Sequence, residues 1–151
     1  MPRRTPVSAV HAGTRTDIGY LLAKASQHWN QLVAEAFQSQ GHGDVRPSFG
    51  SVLVPLFEED DLRMSELAWR ARMAKQTMTT MVRVVEQAGL VQRVRDAEDA
   101  RAIRVRLTEQ GRRLQPVAER ELQRLEARIT AQLGERRMAA LRASLAQVID
   151  A

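Results

Sequence analysis

Apolar residues recur at three- and four-residue intervals along most of this chain, and the intervals divide it into helices. Ile18, Leu21, Leu22, Ala25, Trp29, Leu32, Val33, Ala36 and Phe37 keep helical period behind Thr16 or Asp17 as a cap, and the turn 41–44 ends that helix. Pro47 is suited to a first helical position, so a second helix is expected there, with Phe49, Val52, Leu53, Leu56 and Phe57 inward. Pro55 lies inside that stripe and should bend or shorten the helix, because it lacks an amide hydrogen and crowds the preceding turn. The acidic run 58–61 reads as a turn. Residues 62–64 then lead into a third helix starting near Arg63 or Ser65, with Leu67 and Ala68 inward and Trp69 a packing residue.

Residues 75–87 are the most informative stretch. Met78, Met81, Val82 and Val85 fall at i, i+3, i+4 and i+7, one helical stripe. Thr77, Thr79, Thr80, Val82, Val84 and Val85 are β-branched and favour strands. Strand alternation, however, would bury Thr80 with Val82 and expose Met81 with Val85, so the period decides for a helix. Its opposite side carries Lys75, Gln76, Thr79, Thr80, Arg83 and Gln87, side chains suited to base edges and phosphates. Gly89 stops it.

Leu90–Arg95 reads as a strand, 96–100 as a hairpin tip and Arg101–Leu107 as the return strand. Ile103, Val105 and Leu107 share one face of that return strand; Ala102, Arg104 and Arg106 share the other. Thr108 caps a long helix carrying Leu114, Ala118, Leu122, Leu125, Ile129 and Leu133, with a kink expected at Pro116 and a break at Gly134. Met138, Leu141, Leu145 and Val148 form a last stripe with the spacing of a helix–helix seam. The fold class is therefore mainly α with a small β-hairpin (α+β).

Composition narrows the chemistry. The 151 residues suit one domain, and without cysteine neither a disulfide, a thiol redox sensor nor a cysteine-based zinc site is available. No apolar run approaches the ~20 residues of a membrane span, and Met1–Val10 does not read as a signal peptide; a bacterial cytoplasmic protein is the simplest reading. Net charge is +5, unevenly spread: residues 62–113 hold twelve basic and six acidic side chains, whereas 29–61 hold one and six. A basic patch over the third helix, the fourth helix and the hairpin attracts polyanions.

Helix, turn, helix and hairpin in that order make a winged helix-turn-helix. Ser65 to Ala68, Lys75 to Thr79, Glu86 to Val91, Arg95 with Asp96, Asp99 with Arg101, Val105 to Thr108 and Gly111 together resemble the MarR family of bacterial transcription regulators. The Asp-x-Arg of the hairpin followed by Leu-Thr-x-x-Gly is the most specific part. The resemblance implies a single domain over 16–151, with 16–46 and 109–151 as dimerisation helices around a winged module at 47–108, behind a mobile arm at 1–15. It implies a homodimer, acting as a repressor, on a pseudo-palindromic operator in double-stranded DNA. Independently of the resemblance, the terminal stripes are too extensive for one small module to bury, and exposed apolar surfaces of that size mark partner sites.

At matched positions the recognition helix would present Lys75, Gln76, Thr77, Thr79, Thr80 and Arg83, with Gln76 able to bond adenine in bidentate fashion. In the wing, Arg101 is the candidate for a narrow minor groove, Asp99 its orienting partner or a hairpin brace, and Arg93, Arg95 and Arg104 candidate phosphate contacts. The family usually has a glycine and then a serine or threonine cap between the third and fourth helices; here Arg72 and Ala74 stand there, which leaves the start of the fourth helix open by a residue. Many members release DNA when a small aromatic ligand enters a crevice beside the dimerisation helices, and His28, Trp29 and Phe49 are the candidates to line it. The chain has no phosphate-cradling glycine loop, His-Glu-x-x-His or nucleophile motif, so neither an enzyme nor a bound cofactor or metal is expected. The rival reading is a winged-helix protein-interaction module without DNA binding; such modules lose basic residues that Lys75, Arg83 and Arg101 here retain.

Overall fold

A side-chain cap starts the first helix: the Asp17 carboxylate accepts the Tyr20 amide at 3.1 Å, and α1 runs from Ile18 to Ser39. The computed structural model describes residues 15–151. Of the arm expected at 1–15 only Arg15 falls within them, its Nε bonded to Asp17 at 2.8 Å; the rest lies outside the described residues. A 3-10 turn at Pro47–Phe49 precedes α2 (Gly50–Glu58), so the second helix opens as a tighter turn than expected and stays short with Pro55 inside it. Then follow β1 (Leu62–Arg63), α3 (Met64–Arg70), α4 (Lys75–Gln87), β2 (Val91–Arg95), β3 (Ile103–Leu107), α5 (Glu109–Leu133) and α6 (Glu135–Asp150). None of these helices is long and apolar enough to cross a membrane.

The hairpin expected as two strands is the larger part of a three-stranded antiparallel sheet ordered β1-β3-β2. Leu62 pairs with Val105 and Arg63 with Arg104, while Val91 to Arg95 pair with Leu107 back to Ile103. The strands begin at Val91 and Ile103, later than Leu90 and Arg101: Leu90 belongs to the turn that closes α4, its amide donating to Val85 O at 3.3 Å, and the hairpin tip takes up Arg101 and Ala102.

One cluster forms the core. It joins Val33 and Phe37 of α1, Val52, Leu53 and Leu56 of α2, Leu67 of α3, Met78, Val82 and Val85 of α4, Val105 and Leu107 of β3, and Leu114, Ala118 and Leu125 of α5. The winged module and the adjoining halves of α1 and α5 are thus one packed body. Outside it, Ile18 and Leu21 at the start of α1 and Leu141, Leu145, Val148 and Ile149 on α6 are exposed; on α6 only Met138 is buried.

Gly111 explains one element of the hairpin–helix motif. The Thr108 hydroxyl caps α5 by accepting the Gly111 amide at 3.1 Å, and the Thr108 amide donates to the Leu90 carbonyl at 3.0 Å. A Cβ on Gly111 would sit 2.1 Å from that same carbonyl oxygen. The first turn of α5 therefore approaches the backbone after α4 as only glycine permits.

Candidate nucleic-acid interface

The turn into α4 keeps its shape without the usual residues. α3 ends in a Schellman arrangement: the Arg72 amide donates to Trp69 O at 3.1 Å and the Met73 amide to Ala68 O at 2.9 Å. Arg72 takes the left-handed conformation, φ +53°, that this motif ordinarily assigns to glycine. Its guanidinium also reaches α6, donating to Ile149 O at 3.1 Å and to Asp150 Oδ1 at 2.6 Å. Ala74 is the N-cap of α4 with extended backbone and no side-chain hydrogen bond. The helix starts at Lys75, in the register read from its period.

Met78, Val82 and Val85 are fully buried and Met81 partly, which fixes the rotation of α4. Lys75, Gln76, Thr77, Thr80 and Arg83 are consequently exposed, and Thr79 is half-buried. The Thr79 and Thr80 hydroxyls donate to the Lys75 and Gln76 carbonyls at 2.9 and 3.2 Å, which leaves their oxygens able to accept. Among the described residues neither Lys75 nor Arg83 has a carboxylate within ion-pair reach, so both charges face solvent unpaired.

Glu86 joins α4 to the wing. It accepts the Arg93 amide at 3.0 Å and Arg93 Nε at 3.1 Å, and the Arg93 guanidinium holds the Glu86 carboxyl below its ordinary range. Arg93 is thus tied to α4 although it is exposed, whereas Arg95, also exposed, has no ion-pair partner among the described residues.

The base of the wing is a charge network that the sequence reading missed. Asp96, placed at the hairpin tip, has a side chain only 3% exposed. It accepts Arg104 at 2.9 Å, Arg63 at 3.0 Å and the amides of Glu98 and Asp99 at 2.9 and 3.0 Å. The Arg104 guanidinium first, then those two amides, hold its carboxyl far below the usual carboxylate range. Asp61, in the acidic run read as a plain turn, takes φ +61° and accepts Arg106 at 2.8 Å and Arg104 at 3.0 Å; Arg106 is the first cause of its lowered pKa. Asp60 accepts the Leu107 amide at 2.9 Å. The acidic run thus clasps β3.

Arg104 departs from its expected role for this reason. Its side chain is 28% exposed and shared between Asp61 and Asp96, so it braces the wing rather than projecting from it. Arg101 is the opposite case: its side chain is 97% exposed, and its Nε lies 3.8 Å from Asp99, beyond a hydrogen bond. Asp99 instead accepts the Arg101 amide at 3.0 Å, which shapes the turn beneath that guanidinium.

Two further side chains differ from expectation. Trp69, read as packing, is 78% exposed on α3. His28 is exposed and lines no part of the cavity between α1, α2 and α5, whereas Trp29 and Phe49 do line it. That cavity of about 240 Å³ also borders Val33, Phe37, Leu53 and Leu122, and Arg46 is the charged residue in its lining.

Comparison with known proteins agrees with this architecture. Residues 47–103 match the MarR family. The chain is 31% identical over 116 residues to the HTH-type transcriptional repressor Rv2887 of Mycobacterium tuberculosis, covering 77% of this chain and 81% of that one. It is 36% identical over 63 residues to the HTH-type transcriptional regulator TtmR of Methylorubrum extorquens, a match spanning 42% of this chain and only 32% of TtmR. Among solved structures, a probable transcriptional regulator from Pseudomonas aeruginosa superposes with a TM-score of 0.77 at 26% identity, covering 87% of this chain and 96% of the other. The MepR–DNA complex of S. aureus superposes at 0.78 with 22% identity, covering 90% and 98%. Fold, motif and relatives converge: the chain belongs to the MarR family of winged helix-turn-helix transcriptional regulators.

Proposed function

We propose that this protein is a homodimeric, sequence-specific regulator that represses transcription by occupying a pseudo-palindromic operator, and that it performs no catalysis. The observation that carries the reading is the pairing state of its cations. Around the sheet, Arg63, Arg93, Arg104 and Arg106 are each bonded to carboxylates, whereas among the described residues Lys75 and Arg83 on α4 have no carboxylate within ion-pair reach, and Arg101 at the wing tip is almost fully exposed and only loosely paired with Asp99 at 3.8 Å. Charges left open on a rigid surface are the ones available to phosphates and base edges. α4 would enter the major groove with Lys75, Gln76, Thr77, Thr79, Thr80 and Arg83, and Arg101 the adjoining minor groove, with Arg95 on the backbone.

The exposed apolar faces of α1 and α6 support the dimer, which would set two recognition helices about one DNA turn (~34 Å) apart or a multiple of it. The cavity lined by Trp29 and Phe49 supports an apolar or aromatic effector, with Arg46 at hand for an acidic group on it. Titration of labelled DNA from upstream of the protein's own gene, across a salt series, tests the reading. Binding of the wild type should be nanomolar to micromolar and fall steeply with salt, and Arg101→Ala should weaken it with the fold unchanged. Equal binding by the two proteins would remove the wing assignment, and no binding to any fragment of that region would remove the self-regulating operator.

A further inference from the structure

The helical base carries a side chain that the fold leaves incomplete. Glu121 on α5 has a side chain 4% exposed, and among the described residues its Oε1 has no hydrogen-bond partner. The cations nearest it belong to its own helix, Arg124 at 3.7 Å and Arg120 at 4.0 Å, both beyond hydrogen-bond reach and both more than half exposed. Buried polar oxygens in folded proteins nearly always accept a hydrogen bond, because burial removes the donors that water supplied. Glu121 borders a groove of about 240 Å³ between α1 and α5, with Leu32, Glu35, Ser39 and Arg128 in its walls.

Helical spacing gives the direction in which this groove opens. Leu21, His28, Leu32, Glu35 and Ser39 lie at i, i+7, i+11, i+14 and i+18, one face of α1. Leu21 and His28 on that face are exposed, and Ile18 beside them is the most exposed large aliphatic side chain of α1. The groove is therefore continuous with the apolar surface that α1 leaves unpartnered. On the base, Lys24, Arg128, Arg136 and Arg137 have no carboxylate within ion-pair reach among the described residues.

We propose that Glu121 is completed by a cationic side chain of a second copy of this chain, so that the α1–α5 groove is a half-site that closes only in the dimer. This rests on the homodimer proposed above and adds a residue-level lock to it. Two-fold symmetry forms the pair twice, once in each groove. Charge-assisted bonding supplies the donor that Oε1 lacks. The lock also gives the dimer a polar registration point, where sliding by one helical turn would again leave Oε1 without a hydrogen bond.

The test measures dimer dissociation of the full chain by sedimentation over a dilution series. Glu121→Gln keeps the shape of the side chain and removes its charge; Glu121→Leu removes charge and acceptor together. Each should weaken the dimer by roughly tenfold or more, while helix content by circular dichroism stays that of the wild type. Should the leucine variant fail to fold, the glutamine variant decides. Lys24, Arg128, Arg136 and Arg137 are changed singly to Gln. One of them should weaken the dimer equally and add little in combination with Glu121→Gln. Unchanged dissociation in a folded Glu121 variant would overturn the proposal, and so would four cation variants that all add fully to Glu121→Gln. A wild type that sediments as a monomer at micromolar concentration would instead remove the dimer itself, an outcome distinct from either.

Discussion

Asp96 and Glu121 are both buried carboxylates, and they are treated in opposite ways. Asp96, at the root of the wing, accepts four hydrogen bonds from within its own module. Glu121, on the helical base, has an oxygen that accepts none. The apolar surfaces divide along the same line. α4 buries Met78, Val82 and Val85 fully and Met81 partly against α2, α3 and the sheet, whereas α6 buries only Met138 and leaves Leu141, Leu145, Val148 and Ile149 open. A region whose buried charges and core stripe are matched internally needs nothing further to hold its shape. A region with an orphaned acceptor and an open stripe is one half of a structure.

The most severe way to break the closed region is at its tightest backbone approach. Gly111→Ala forces a methyl group to 2.1 Å from the Leu90 carbonyl, which no rotamer change can relieve. Separation of α5 from the end of α4 should cost about 3 kcal/mol, read as a fall in melting temperature. An unchanged melting temperature would mean that the wing and α5 are not held as tightly as the contact implies.

Next come the two arginines of the hairpin region, which sharpen the division between braced and free charge. Arg101→Gln should weaken DNA binding by roughly tenfold to a hundredfold without moving the melting temperature. Arg104→Gln should do the reverse: it removes the guanidinium shared by Asp61 and Asp96, so stability falls, and DNA binding at a temperature where the variant is folded changes less than for Arg101→Gln. If Arg104→Gln lost DNA binding at full stability, the bracing role would be wrong.

Acid should open the same network. The carboxyls of Asp96 and Asp61 titrate below their ordinary value of 3.8 because arginines stabilise their ionised forms. Groups whose pKa is lowered by folding stabilise the fold above the unfolded value and lose that contribution as pH falls through the folded one. The wing should therefore be indifferent to pH between 7 and 5 as far as these two groups are concerned, and loosen only below about 3.8. Chemical denaturation at stepped pH would show this as a constant midpoint that drops at the acid end. A drop already at pH 6 would point to a different group.

How much of this was legible in the sequence depends on whether a feature is local. Helix α4 and its buried face were legible, with its start left open by one residue, because four apolar side chains in one stripe outweigh six β-branched propensities. The Thr108 cap is likewise local, three residues from the amide it accepts. Strand β1 was not legible: two residues carry no period, and Leu62 and Arg63 become a strand only through Val105 and Arg104, more than forty positions away. The Asp61 and Asp96 network has the same origin. Its one signal in the chain was the pair Arg104 and Arg106 on the outer face of a strand, which needed acids from elsewhere. Trp69 sits in a seven-residue helix, too short for period to distinguish its faces. His28 and Trp29 are adjacent, so one turning inward carries the other about 100° away from it.

The smallest effects are expected where the closed module meets the open base, in the turn at Arg72 and Ala74. Ala74→Ser places a hydroxyl at the N-cap of α4, where the backbone is already extended, and should raise stability by ~1 kcal/mol. Arg72→Gly acts through two opposing terms. Glycine relieves the left-handed backbone of a side-chain-bearing residue, worth ~1 kcal/mol. It also removes an exposed contact to Ile149 and Asp150, of a kind that contributes between nothing and about 1 kcal/mol. The net change in stability should then be close to zero, and a melting curve alone will not separate the terms. Asp150→Asn separates them, since it weakens the contact and leaves the backbone of Arg72 as it is. If Asp150→Asn is neutral while Arg72→Gly stabilises, the turn is simply a strained Schellman cap. If Asp150→Asn costs stability while Arg72→Gly is neutral, the strain is offset by the tie to α6, and the recognition helix is anchored to the open half of the molecule through one arginine.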